Sequence, residues 1–326
     1  MIKNLRIAIA AVSALVALSP NIATADGTTI KIGVTAGGGY DMAGRLMARH
    51  LPRHLEQEQD GIVQNVSGAS SLNLARQLAV DADDNTLGMV LASLIINSRL
   101  DPEKVAVDFS EFHWIGSLNS ATSVCLVSKA SGVKTLEDFA KSGLRIGATS
   151  KVGGFYQFAA LAQNVLDADY QIVSGFKGLT DIEAAIDRGE LDGYCGSQLD
   201  RFVRNGQSEN RQLIGALTVS VEQDGETLPA MISAVSDPLD RAAVELFATR
   251  DSMYYPVMMS PGTSQQAVDR YRDAFAAMIA DPAFLEEAGG MYLTVTPMTG
   301  DAVAEMVGGV SNSDADTVDR LKEFLE

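Results

Sequence analysis

Twice in this chain an apolar run meets a glycine-bearing turn and then an amphipathic stretch, and that recurrence limits the fold more than any other feature. Thr29 to Thr35 reads as a short buried strand and Ala36-Gly37-Gly38-Gly39-Tyr40 as a loop. Asp41 sits where a helix N-cap belongs, and the helix is expected from about Met42 to Leu51. Ile62, Val63 and Val66 predict a second strand, Ser67-Gly68-Ala69-Ser70-Ser71 a second loop, and Leu72, Ala75, Leu78 and Ala79 the buried stripe of a helix. Leu87 to Leu94 is apolar enough for a third strand. The middle of the chain repeats the theme after a strand at Val124 to Val127 and a helix at Lys134 to Phe139. Leu144 to Ala148 is a strand, Thr149-Ser150-Lys151-Val152-Gly153-Gly154 its loop, and Phe155 to Leu166 a helix. Ile172-Val173, the turn Phe176-Lys177-Gly178, a helix at Asp181 to Arg188 and a strand at Leu191 to Cys195 follow. Strand, polar loop and helix in alternation specify α/β lobes with largely parallel sheets. Further on, Asp237 to Arg250 is helical and Tyr254 to Met259 extended, and Val268, Tyr271, Phe275, Met278 and Ile279 form a helical stripe that reads as core packing.

The chemistry follows from the turns. Main-chain N–H groups at a helix start, aided by the helix dipole, bind an anion without any charged side chain, and glycine lets the ligand approach the backbone closely. Two such starts facing each other across a cleft would grip a carboxylate-bearing molecule. Ligands of open α/β sheets lie beyond the carboxyl ends of the strands, where these loops are expected. Gly37-Gly38-Gly39 does not match a dinucleotide fingerprint, whose third glycine is out of register here, nor a P-loop, which would end in Gly-Lys-Ser/Thr and not Tyr40-Asp41.

The first residues carry Lys3 and Arg6, an apolar run from Ile7 to Leu18, and the small residues Ala23-Thr24-Ala25, which together read as a secretory signal peptide cleaved after Ala25. Export to the periplasm is the expectation. Removing residues 1–25 from a chain of 326 leaves 301, near the size at which a single core gives way to two lobes. The formal charge is −17, and losing Lys3 and Arg6 takes it to −19. Such a surface repels nucleic acid and anionic lipid, so neither is an expected partner, and an anion site must be built locally from backbone donors or a few basic side chains. Cys125 and Cys195 are the only cysteines, and an even count in an oxidising compartment favours a disulfide, with two buried free thiols as the alternative.

The order of motifs adds a more specific reading. Ala36-Gly37-Gly38-Gly39-Tyr40-Asp41, then Arg45 on the following helix, then Gln64-Asn65-Val66-Ser67-Gly68-Ala69-Ser70, resembles the opening half of the periplasmic receptors of the tripartite tricarboxylate transporter family. Val133-Lys134-Thr135-Leu136-Glu137-Asp138, Gly153-Gly154, Phe176-Lys177-Gly178 and Arg188-Gly189-Glu190-Leu191-Asp192 extend the likeness over nearly the whole mature chain. The resemblance implies a type II periplasmic-binding-protein fold of two α/β lobes around a central cleft, residues 26–120 with 256–326 in one lobe and 121–255 in the other. It implies a monomeric receptor, without cofactor and not an enzyme, that captures a small carboxylate for integral-membrane transporter subunits. Carried over position by position, it points to Gly38, Gly39, Tyr40 and Asp41, to Ala69 and Ser70, and to Lys151, Val152 and Gly153 as ligand-binding. Ser67, Gln64 and Phe176 depart from the family pattern, so ligand identity does not carry over, and di- or tricarboxylates, aromatic acids and amino acids all remain open.

Several of these residues also have plainer readings. Asp41 as an N-cap satisfies its own helix, whereas in a pocket it accepts from a ligand donor or bound water. Lys151 pairs with a ligand carboxylate or is a solvated lysine. Tyr40 and Phe155 line the cleft or pack in the core. His50 and His54 have helical spacing, but Pro52 lies between them and no third ligand accompanies them, so no metal is expected. Three histidines give nucleophilic-triad chemistry little support. The rivals to a transport receptor are a receptor that presents its ligand to a sensor kinase and an envelope enzyme on the same scaffold.

Overall fold

The computed structural model describes residues 27–204 and 206–326; the expected signal peptide of residues 1–25 lies outside the described residues. The strands, in chain order, are β1 (Thr29–Ile32), β2 (Ile62–Asn65), β3 (Thr86–Met89), β4 (His113–Asn119), β5 (Ser123–Ser128), β6 (Arg145–Gly147) and β7 (Gln171–Val173). Then come β8 (Gly193–Gln198), β9 (Arg211–Ala216), β10 (Val221–Gln223), β11 (Glu226–Leu228), β12 (Tyr254–Met259) and β13 (Met298–Thr299). They form two main sheets, ordered β13-β4-β12-β3-β1-β2 and β7-β6-β8-β5-β9, and a hairpin of β10 and β11. The fold is therefore the expected pair of α/β lobes. In each sheet the expected parallel strands pair in parallel, β2-β1-β3 in one and β7-β6-β8 in the other. Antiparallel partners complete both sheets: β12 runs between β3 and β4, and β5 between β8 and β9.

The chain passes between the sheets at two places. It leaves the first through the short link between β4 and β5, and returns along the helix Pro238–Ser252 into β12. Main chain ties the two passages together, since the Ala121 amide donates to the Asp251 carbonyl at 2.7 Å. Ser123 donates through its hydroxyl to the Asp251 carboxylate at 2.9 Å, and Ser117 to the Tyr254 carbonyl at 2.5 Å. Directly after this crossing Tyr255 is buried with φ at +59°, a left-handed conformation that strains a bulky residue.

The cores explain why these stretches form these elements. β3 is buried along its whole length, as a strand covered on both faces should be. The stripe on helix Gln265–Ala280 buries Val268, Tyr271, Phe275 and Met278, each such side chain contributing roughly 1.5–3 kcal/mol. One core cluster runs continuously from Leu74 and Ile95 of the first lobe to Phe158 and Ile146 of the second. The C-terminal helix Ala315–Leu325 seals it, packing on Pro238–Ser252 and on Gly154–Val165. Cys125 and Cys195 face each other in the register of β5 and β8 and are bonded, fully buried at the centre of the second sheet.

Two expectations need correction. The apolar run Leu87 to Leu94 is not one strand: β3 stops at Met89 and a helix, Ala92–Leu100, begins three residues later. The N-cap of the first helix is Gly38, because the helix starts at Gly39, and Asp41 lies inside the first turn. His113 opens β4, and Trp114 behind it is buried, its indole N–H donating to the Phe109 carbonyl at 3.1 Å.

Candidate functional site: a cleft ringed by uncapped helix starts

A cleft of about 500 Å³ separates the two sheets. From the first lobe it is lined by Val34, Thr35, Gly38, Gly39 and Tyr40, by Ser70, and by Leu91 to Ser93; from the second by Ser123, Thr149, Ser150, Gly153 to Phe155, Lys177, Gly178 and Gly196. Arg250, Asp251 and Tyr254 form its base at the crossing between lobes. Gly39 and Gly153 thus look into one shared cavity from opposite lobes.

The helix ends around this cavity share a property. Among the described helices of nine or more residues, five have a side chain that caps the N-terminus, supplied by Asp237, Ser264, Asp281, Thr299 and Asp314. The other five, beginning at Gly39, Leu72, Ala92, Gly154 and Leu179, have none. Their starts lie on the cleft: Gly38, Gly153 and Gly178 are N-caps that line it, Leu91 is a fourth, and Ser70 lines it immediately before the N-cap Ser71. A capping side chain normally adds about 0.5–2 kcal/mol, and its omission at the Gly39, Leu72, Gly154 and Leu179 ends leaves N–H groups and positive dipole ends for a ligand, whereas at the Ala92 end the Leu91 amide donates to Ser71 and the Ala92 amide to Tyr40.

Each turn is held open by its surroundings. A Cβ on Gly39 would come within 2.6 Å of the Tyr255 hydroxyl, and one on Gly196, whose φ is +93°, would press on the Gly154 carbonyl at 3.4 Å. Ala69, Ser70 and Ser71 have φ values of +47°, +54° and +74°, a run of left-handed backbone that turns the second loop into the cleft. Tyr40 stacks edge-on with Tyr255 and at a tilt with Tyr254, ring centroids 4.7 and 5.4 Å apart, and its oxygen accepts the Ala92 amide at 3.3 Å. Burial pushes the Tyr40 and Tyr254 phenols well above their ordinary range and Tyr255 up to about 12, so all three stay neutral. Gln157 donates to Asn97 at 2.9 Å, joining the Gly154 and Ala92 helices across the lobes.

The expected site residues divide. Gly38, Gly39, Tyr40, Ser70 and Gly153 line the cleft. Ala69 and Val152 border an adjoining groove that also reaches Ser70. Lys151 is exposed, 6.0 Å from the Tyr156 ring, and is not among the cleft-lining residues. Asp41 is buried behind the first loop, where its carboxylate accepts from the Gly37 amide at 2.9 Å, from Arg45 at 2.9 Å and from Asn65 at 2.9 Å. Its place at the third helical position, reaching back to a preceding amide, resembles a capping box more than an N-cap. Phe155 lines the cleft. The helix start at Ala92, and the pair Arg250 and Asp251, are site features that the local sequence pattern did not single out.

Burial would raise the Asp41 carboxyl, but the hydrogen bonds from Arg45, Gly37 and Asn65 and the Arg45 charge outweigh it and hold the group at about 2, against 3.8 unperturbed. A lowered carboxyl stabilises the fold above its unfolded value, and that contribution is lost as pH falls through 2. Asp41→Asn should therefore cost about 1–2 kcal/mol in urea unfolding at pH 7, with the difference from the parent shrinking between pH 4 and pH 2. An equal difference at both ends of that window would contradict this account.

No protein-family model and no curated protein sequence matches the chain. Solved structures do. A TctC solute-binding protein from Polaromonas, solved without ligand, aligns at TM-score 0.65 and 16% identity over 91% of this chain and 98% of its own. MatC from Rhodopseudomonas palustris with bound malate aligns at 0.66 and 18%, over 92% and 99%. An R. palustris protein with adipate aligns at 0.68 and 16%, over 91% and 97%. The chain has the two-lobed fold of the periplasmic solute-binding proteins. The expected likeness to TctC-type receptors holds over almost the whole described chain, at the level of fold.

Proposed function

We propose that this protein is an extracytoplasmic solute-binding receptor that closes on a small carboxylate and passes it to integral-membrane transporter subunits of the tripartite tricarboxylate type. The observation that carries the reading is the partition of helix ends: capped elsewhere, uncapped around one cleft. Four donor-bearing ends at one cavity suit an anion in a protein whose overall charge would otherwise repel it. The malate and adipate held by structurally similar proteins point to the same ligand class. Gly38, Gly39, Tyr40, Ser70 and Gly153 contact the ligand in this reading, while Asp41 shapes the first loop from behind and Ala69, Val152 and Lys151 sit at the margin. Residues 26–120 with 256–326 and 121–255 are the moving bodies, the protein acts as a monomer in the periplasm after cleavage at Ala25, and its task is capture without chemistry.

The test is thermal unfolding of protein refolded from denaturant, so that no ligand is carried over, against malate, adipate, succinate, citrate, benzoate and glutamate. A ligand present at 100 times its Kd adds about 2.7 kcal/mol, which raises the midpoint by several degrees. At least one acid should do so in a saturable way. If none does, and mass spectrometry of the denatured protein finds no co-purified acid, the receptor reading is wrong.

A further inference from the structure

Arg250 is buried to 7% exposure at the base of the cleft. Its guanidinium lies over the Phe247 ring at 3.8 Å and near the Phe158 ring at 5.8 Å. Nη1 lies 3.5 Å from where a Cβ on Gly154 would stand, so the group abuts an uncapped helix start. Its nearest carboxylate is Asp251, with Nε and Oδ1 3.6 Å apart, too far for a hydrogen bond. Asp251 is instead engaged by Ser123. Burial lowers the pKa of Arg250 and raises that of Asp251, and the opposite charge of each neighbour works against the shift of the other.

A buried guanidinium that lines the cavity, lies over a phenyl ring and reaches its one carboxylate neighbour only at 3.6 Å is a loosely completed ion pair. What completes it is a planar anion with two oxygens. We propose that Arg250 is the residue that makes the cleft select a carboxylate, its guanidinium forking onto the ligand carboxylate while the Gly154 helix start donates main-chain N–H groups to the same oxygens. This rests on the receptor reading above and adds a specificity determinant to it.

Calorimetric titration of wild type, Arg250→Met and Arg250→Lys separates the possibilities, using succinate, adipate, benzoate and glutamate, each beside its primary amide. Wild type should prefer an acid over its amide by at least about 100-fold. Arg250→Met should lose at least about 100-fold in acid affinity with little change for the amide, so that the preference collapses. Arg250→Lys, which keeps a point charge but not the fork, should lose about 10-fold. A preference that survives in Arg250→Met, or acid and amide affinities that fall in parallel, overturns the inference and leaves the receptor reading standing. Should Arg250→Met fail to fold, a wild type indifferent to acid or amide, or an undiminished Arg250→Lys, overturns it equally. A wild type that binds none of the acids removes the receptor reading and the inference together.

Discussion

Gly38→Asp should abolish ligand capture while leaving the empty protein as stable as its parent or slightly more so. Gly38 has φ −92° and ψ 178°, open to any residue, and a Cβ added there meets nothing within 4 Å. An aspartate would accept from the free amides of the first helical turn, adding a few tenths of a kcal/mol as a cap and up to about 1 kcal/mol with the dipole. The same carboxylate consumes the donors meant for the ligand and sets a negative charge beside it. At 4 Å and an effective dielectric of 20 two like charges repel by about 4 kcal/mol, so affinity should fall by well over about 100-fold. Gly38→Ser, which takes the donors without the charge, should fall between. The converse holds away from the cleft: Ser264→Ala removes a cap and should cost about 1 kcal/mol of stability with unchanged binding. Affinity undiminished in Gly38→Asp, read by calorimetry, would mean that the acid is held somewhere else.

The Cys125→Ala, Cys195→Ala double variant should show the largest loss of stability. The bond closes a loop with a sequence separation of 70 between adjacent central strands, and loop-closure entropy assigns such a crosslink about 4 kcal/mol. For a chain of this length that is a fall of roughly 10 °C in the unfolding midpoint, and reductant added to the parent should reproduce it. The effect acts chiefly on the unfolded chain, so ligand affinity below the transition should persist. A parent whose midpoint is insensitive to the double substitution would contradict a constraint of this size.

Both lobes were legible in the sequence wherever a pattern was local. Alternating apolar runs and glycine turns located the strands that pair in parallel and the loops at Gly39 and Gly153, because a strand-to-helix turn leaves its signature in consecutive residues. What escaped was tertiary. Leu87 to Leu94 is apolar throughout, and an unbroken apolar run does not distinguish a buried strand from the start of a buried helix, so the Ala92 helix end went unread. Asp41 has the chemistry of an N-cap, but three glycines before it allow the helix to begin earlier, at Gly39. Arg250 and Asp251 close a helix, where charged residues normally face solvent; nothing in their neighbours announces that the chain crosses between lobes there and carries both into the cleft. The absence of caps had a faint signal, in that Gly38, Gly153 and Gly178 stand where Ser, Thr or Asp would be expected. It becomes informative only when the capped helices are known to lie elsewhere.

The most direct measurement is a crystal structure of the refolded protein with the acid that stabilises it most. The account predicts carboxylate oxygens within about 3 Å of main-chain nitrogens at the Gly39 and Gly154 helix starts, one from each lobe, in a single shared crevice. An acid seated outside that crevice, or touching donors of one lobe alone, would contradict it.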